Sequence, residues 1–155
     1  MKKFILFFAL LLIGTTVSAQ DFVKASDVTV ENFAKYLQTK KFKILEKTAD
    51  FLKIESEDGY PLYLDFDKDK KYIMFNINDG LKDTADEQKK QTLLEKISKL
   101  KMIKAVYFQK SNTVQFEYYF WVTGGFSWAS LEDAITEFYL YEGDAFNLDT
   151  DKIFK

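Results

Sequence analysis

The sequence predicts an α+β fold: an antiparallel sheet, built from a four-strand meander plus a hairpin, that carries three helices in the order α-ββββ-α-ββ-α. Three observations lead there. Val30, Phe33, Ala34 and Leu37 recur at the spacing of one helical face. The residues from Phe42 to Asn78 fall into four short strand-like runs parted by polar turns. Gly124-Gly125 then separates a long aromatic strand from another apolar helical stripe.

The first helix is expected to start after Thr29, whose hydroxyl can accept from a free amide of the first turn, and to end near Thr39. Lys40-Lys41 lead into the meander, with strands from Phe42 to Glu46, Asp50 to Ser56, Tyr60 to Phe66 and Tyr72 to Asn78. Asp58-Gly59 and Asp67-Lys68-Asp69-Lys70 are short polar connectors of hairpin type. In the third strand Leu62, Leu64 and Phe66 alternate with Tyr63 and Asp65, the period of a strand with one buried face. Asp79-Gly80 closes the meander, and Asp83 or Thr84 is expected to cap a second helix with Leu93, Leu94, Ile97 and Leu100 on one side. The hairpin follows, from Met102 to Gln109 and from Val114 to Thr123, around Lys110-Ser111-Asn112. Ser127 caps the third helix, whose apolar side holds Leu131, Ala134, Ile135, Phe138, Tyr141, Ala145 and Phe146 and which Gly143 is expected to bend or shorten. The acidic stretch from Asp144 to Asp151 reads as a helix end and a mobile terminus.

Ahead of the domain, Lys2 and Lys3 precede an apolar run from Phe4 to Ile13 and a polar segment ending Val17-Ser18-Ala19, the pattern of a secretory signal peptide over residues 1–19. The apolar run is roughly half of what a bilayer crossing needs. Residues 20–155 are therefore expected to form a single exported domain, periplasmic or extracellular, without a membrane span. Cysteine is absent, so folding rests on packing and hydrogen bonds. All 22 basic residues are lysine, and losing two with the signal peptide leaves 20 against 24 Asp plus Glu. An acidic balance with no arginine argues against nucleic acid, since the chain lacks the forked donor that grips phosphate at two points.

The same composition restricts chemistry. Without histidine or cysteine, Ser-His-Asp triads, Cys-His pairs and histidine-based zinc sites cannot be assembled. No carboxylate pair stands in a context suited to glycoside hydrolysis, so no catalytic residue is assigned and no cofactor is expected. Asp65, Asp67 and Asp69 have the spacing that opens a calcium loop, yet Lys70 and Asn76 occupy the positions where such a loop needs glycine and glutamate. A solvated hairpin turn is the expectation, with no metal.

The stretch VQFEYYFWVTGGFSW holds seven aromatic residues among fifteen. Strand alternation sets Phe116, Tyr118, Phe120 and Val122 on one side and Gln115, Glu117, Tyr119 and Trp121 on the other. The first set should lie beneath the helices. The second should face outward, and Phe51, Tyr63 and Tyr107 are expected to extend it from neighbouring strands into a partner-binding patch.

The helix TVENFAKYLQ, the meander FKILEKTADFLKIESEDGYPLYLDFDKDKKYIMFNI and the junction FWVTGGFSWASLEDAITEFYLYEGDAF together resemble the YbjN-like family of bacterial sensory transduction regulators, over roughly residues 29–146. That resemblance implies a fold similar to the small dimeric chaperones of type III secretion, and a binding or regulatory role with no catalytic motif. The chain departs from those chaperones in its export signal. The functional expectation is thus an exported, non-enzymatic protein that holds a protein or peptide partner on an open sheet face or in a groove beside the third helix. The alternative is an envelope structural protein whose aromatic patch builds a homo-oligomer, a homodimer being the simplest.

Overall fold

Thr29 opens the first helix as the sequence requires, its hydroxyl accepting from the Asn32 amide at 3.2 Å. In the computed structural model, which describes residues 22–155, the elements run β1 (Phe22–Val23), α1 (Val30–Thr39), β2 (Lys43–Lys47), β3 (Phe51–Glu55), β4 (Pro61–Phe66), β5 (Tyr72–Gly80), α2 (Glu87–Ile97), β6 (Lys104–Phe108), β7 (Thr113–Trp121), β8 (Phe126–Ser127) and α3 (Trp128–Asn147). A single turn of 3-10 helix, Ala25–Asp27, joins β1 to α1. The segment read as a signal peptide lies outside the described residues.

Six strands form one antiparallel sheet in the order β2-β3-β4-β5-β7-β6. The meander supplies four neighbours, and β7 joins it along the whole of β5, from Tyr72↔Trp121 to Gly80↔Thr113. A bulge in β2 between Ile44 and Glu46 shifts the register of that edge strand. This is the expected α+β architecture, with a small addition: β1 and β8 pair as a separate two-stranded ribbon. The ribbon explains the second glycine of the Gly-Gly junction. Gly125 has φ +82, and a Cβ there would fall 2.1 Å from the Phe22 ring and 2.8 Å from the Val23 carbonyl, so both the turn and the crossing of β1 demand glycine.

All three helices lie on one face of the sheet. Phe33 of α1 meets Phe66 edge-on at 5.0 Å, Phe138 of α3 meets Phe75 at 6.2 Å, and Lys90 of α2 sits 5.9 Å above the Tyr107 ring. Between the layers runs an apolar core from Leu52 and Ile54, through Leu62, Leu64, Ile73 and Phe75, to Val114 and Phe116. Tyr36 stacks on Trp128 at 4.1 Å and its hydroxyl donates to Glu132, which ties α1 to the start of α3. Such ring pairs add roughly 0.5–1.5 kcal/mol each beyond the area they bury, useful in a domain without disulfides.

Three local expectations need correction. The second helix is capped by Asp86, which accepts from the Lys89 amide at 2.8 Å; Asp83 instead accepts from Asn112 and pairs with Lys155. The third helix is neither shortened nor broken at Gly143, because packing at Phe138, Glu142 and Ala145 holds the backbone on both sides of it. The chain end is not loose: Ile153 and Phe154 are buried, Phe154 rests on Phe146 at 4.5 Å, and its amide donates to Asp149. An apolar pair after an acidic run is enough to dock the tail against β5, where Lys155 donates to the Gly80 carbonyl at 2.9 Å.

Candidate functional site

The face of the sheet opposite the helices is built by every second residue of β3, β4, β5 and β7, so its composition follows from strand register. Met74↔Tyr119 and Tyr72↔Trp121 set four large side chains side by side at one end of the central strands. Tyr72 meets Tyr119 at 5.1 Å and Trp121 at 5.6 Å, both edge-on, and Trp121 remains 64% exposed. A depression of about 510 Å³ adjoins this cluster, bounded by Asp65, Tyr72, Met74 and the Asp67–Asp69 turn.

Phe51 and Tyr63 form a second aromatic pair, 6.3 Å apart, with the Lys53 ammonium 4.8 Å above the Tyr63 ring. Asp65 and Asn76 separate the two clusters, joined by a hydrogen bond of 2.6 Å from the amide of Asn76. Burial raises the Asp65 carboxyl above its usual range, and the Asn76 amide opposes that shift. Beside them Glu117 is only 7% exposed, although no helix covers it, and its carboxylate is fully engaged. It accepts from Lys104 at 2.9 Å, Tyr119 at 2.8 Å and Gln115 at 3.3 Å. Burial first, and then the bond to Glu117, pushes the Tyr119 phenol up to about 12. Tyr119 is therefore a protonated donor at neutral pH and not a base.

Of the five residues that the sequence places on this face, Tyr119, Trp121, Tyr63 and Phe51 are there. Tyr107 is not. It pairs with Val114, a core residue, and so points to the helix side, where its hydroxyl donates to Asn112 at 3.0 Å. Tyr72 and Met74 belong to the face and were not assigned to it, though both follow from alternation along the strand read from Tyr72 to Asn78. The three aspartates of the turn do different work: Asp65 holds Asn76, Asp67 accepts from the Lys71 amide, and Asp69 pairs with the Lys71 ammonium. Among the described residues no three acidic side chains converge as metal ligands.

A second concavity lies on the helix side. β4 pairs with β5 only from Tyr63↔Asn76 to Phe66↔Ile73, while β5 continues to Gly80. Where the two part, a groove of about 570 Å³ opens between Tyr60 and the second half of α3, lined there by Tyr139, Glu142, Gly143, Phe146 and Asn147. Tyr139 donates to the Tyr60 carbonyl at 3.2 Å, and the two rings stand 6.3 Å apart. Glu142 is 9% exposed, and its carboxylate has no hydrogen bond or ion pair with any described residue. Burial, with Asp79 nearby adding to it, pushes Glu142 up to about 7. Asp79 lies on the helix-facing side of β5; one of its oxygens is fully buried without a partner, and burial raises it to about 6. The sequence carried a signal for this site, since Glu142 falls on the same helical stripe as Leu131, Ile135, Phe138 and Ala145.

Compared with known protein families, curated proteins and solved structures, the chain matches none. Among the described residues no helix is long and apolar enough to cross a membrane.

Proposed function

We propose that this is an exported, non-enzymatic binding or regulatory protein, of the kind the YbjN-like resemblance implies, which holds a protein or peptide partner on the open face of its sheet. The observation that carries the reading is the Tyr72–Tyr119–Trp121 cluster. Three rings and Met74 lie together on a face without helices, with the tryptophan largely in water. Aromatic anchors surrounded by satisfied polar groups are the composition of protein-binding hot spots. The hydrogen-bonded Glu117 and Asp65–Asn76 groups beside the rings supply such a surround already ordered before a partner arrives. A non-enzymatic role is supported by the lack of any histidine or cysteine in the chain.

The test is a photo-activatable residue at position 121 in the exporting cell, combined with the native mass of the purified protein. A monomer that yields one discrete heterologous adduct, lost when Tyr72 and Tyr119 are both changed to serine, is the expected result. A stable dimer that dissociates on Trp121→Ala would mean that the face builds a homo-oligomer instead. A monomer without any adduct would overturn both.

A further inference from the structure

The protein has two nearly buried glutamates, and it treats them differently. Glu117 receives a lysine, a phenol and an amide. Glu142 receives nothing from the described residues, although the chain is rich in lysine. Its side chain is nearly buried, yet its carboxylate oxygens are not among the sealed, unpartnered polar atoms, so they open onto the groove and meet solvent there. Glu142 also differs in where it sits: it forms part of the wall of a groove, within reach of a molecule from solvent.

We propose that the groove between Tyr60 and the second half of α3 binds an alkylammonium group, primary or methylated, with Glu142 as its counter-charge and Tyr60, Tyr139 and Phe146 as its walls. Four observations converge. Glu142 opens its carboxylate to the groove with no cation or donor from the described residues, and Asp79, which has a fully buried oxygen without a partner, adds negative potential of the same sign. The rings that flank the carboxylate attract a cation through their faces, an interaction that strengthens where water is excluded. The volume of about 570 Å³ is in the range of small-ligand sites. Finally, Gly143 leaves the helix bare at the groove: a Cβ there would meet nothing within 4 Å, so packing does not require glycine, and its absence of side chain keeps the groove open.

The competing ligand classes fit less well. An anion would be repelled by Asp79 and Glu142. A hard metal ion needs more oxygen ligands than these two acids offer, and the remaining walls are largely aromatic. An uncharged ligand could use the aromatic walls but would leave Glu142 unpaired. The groups facing Glu142 are Asp79 from β5, Tyr60 before β4 and Tyr139 of its own helix, none of them cationic. Affinity for an ammonium group should therefore rise as pH increases through the range in which Glu142 loses its proton.

The experiment is an amide NMR titration of the purified protein with butylammonium and choline, against neohexanol, the uncharged carbon isostere of choline, following the signals of Gly143 and Asn147. The ammonium probes should give saturable shifts at these positions, with neohexanol weaker by about tenfold or more, the equivalent of roughly 1.4 kcal/mol. Glu142→Gln should weaken the ammonium probes by about the same factor, and Gly143→Leu should abolish binding by filling the groove. Both variants should keep the sheet signals of the parent. Equal affinity for choline and neohexanol would overturn the proposal, as would undiminished binding by Glu142→Gln or the absence of saturable shifts. None of these results bears on the open sheet face, which lies on the other side of the sheet and is read through Trp121.

Discussion

Glu142→Gln should stabilise the protein at neutral and alkaline pH, and the effect should vanish in mild acid. Folded, Glu142 keeps its proton up to about pH 7; unfolded, it returns to its ordinary value of 4.5. Between these values the native state binds more protons than the unfolded state, so the contribution of this group to stability is full below pH 4.5 and is lost as pH rises through 7. At about 1.4 kcal/mol per pH unit the gap caps the loss at roughly 3.5 kcal/mol, and the access of the carboxylate to the groove lowers it to about 1–3 kcal/mol. Glutamine keeps the shape and cannot ionise. Asp79 is raised by burial in both proteins, so the difference between them reports Glu142 together with its repulsion from Asp79. Urea unfolding of parent and variant across this pH range measures it directly. The curves should coincide at the acid end and separate above neutrality, with the variant more stable. Parallel curves would mean that Glu142 titrates alike in the native and unfolded states, and a parent that gains on the variant as pH rises would mean that it has a cationic partner; either result refutes an unpaired, buried acid.

Substitutions at four other positions test the rest of the structure. Phe120→Ala, which removes a ring packed on Phe75 and Phe126, should cost roughly 3–5 kcal/mol in chemical denaturation, whereas Trp121→Ala, with about a third of its surface covered, should cost the monomer no more than about 2 kcal/mol. If Trp121→Ala proves the more damaging, the two faces of β7 have been exchanged. Asn112→Ala should cost about 1–3 kcal/mol, because it removes two donated bonds, to the Leu81 carbonyl and Asp83, and one accepted from Tyr107, at a residue with φ 50; Asn112→Gly, which relieves only the backbone, should recover a minor part. Phe154→Ala should lower stability by about 3 kcal/mol or more, and a thermal melt unchanged by it would return the chain end to the loose state expected from sequence.

Where local rules decide the outcome, the sequence was readable. The Thr29 cap and its stripe gave α1, and alternation sorted β7 correctly because a nine-residue strand with Phe116 and Phe120 on one side has a single sensible orientation. Parity across a turn was harder. Tyr107 was set on the wrong side because its face depends on the number of residues in the β6–β7 loop, and Phe108↔Thr113 pairing there is fixed by Asn112 in a left-handed conformation, held by long-range bonds. The Asp86 cap was missed for a similar reason: Asp83 looks equally suitable until the position of Asn112 is known. In the candidate site, the strand residues were legible and the groove was not. An acid on an apolar stripe can be seen in sequence, but that β4 leaves β5 above it is a tertiary fact.

The long pairing of β5 with β7 also says something about how the molecule comes together. The meander from β2 to β5 closes through short turns, and β6 with β7 closes through another, so each piece can form from near neighbours in the chain. The contact that unites them spans all nine residues of both central strands, yet residues 81–112, including α2, lie between them. The seam between the fourth and fifth strands of the finished sheet is thus its most non-local junction, and closing it carries an entropic cost that neither hairpin system bears alone. A four-strand piece and a two-strand piece that meet along one seam make its closure the expected slow step of folding, after which every helix has a continuous surface on which to settle.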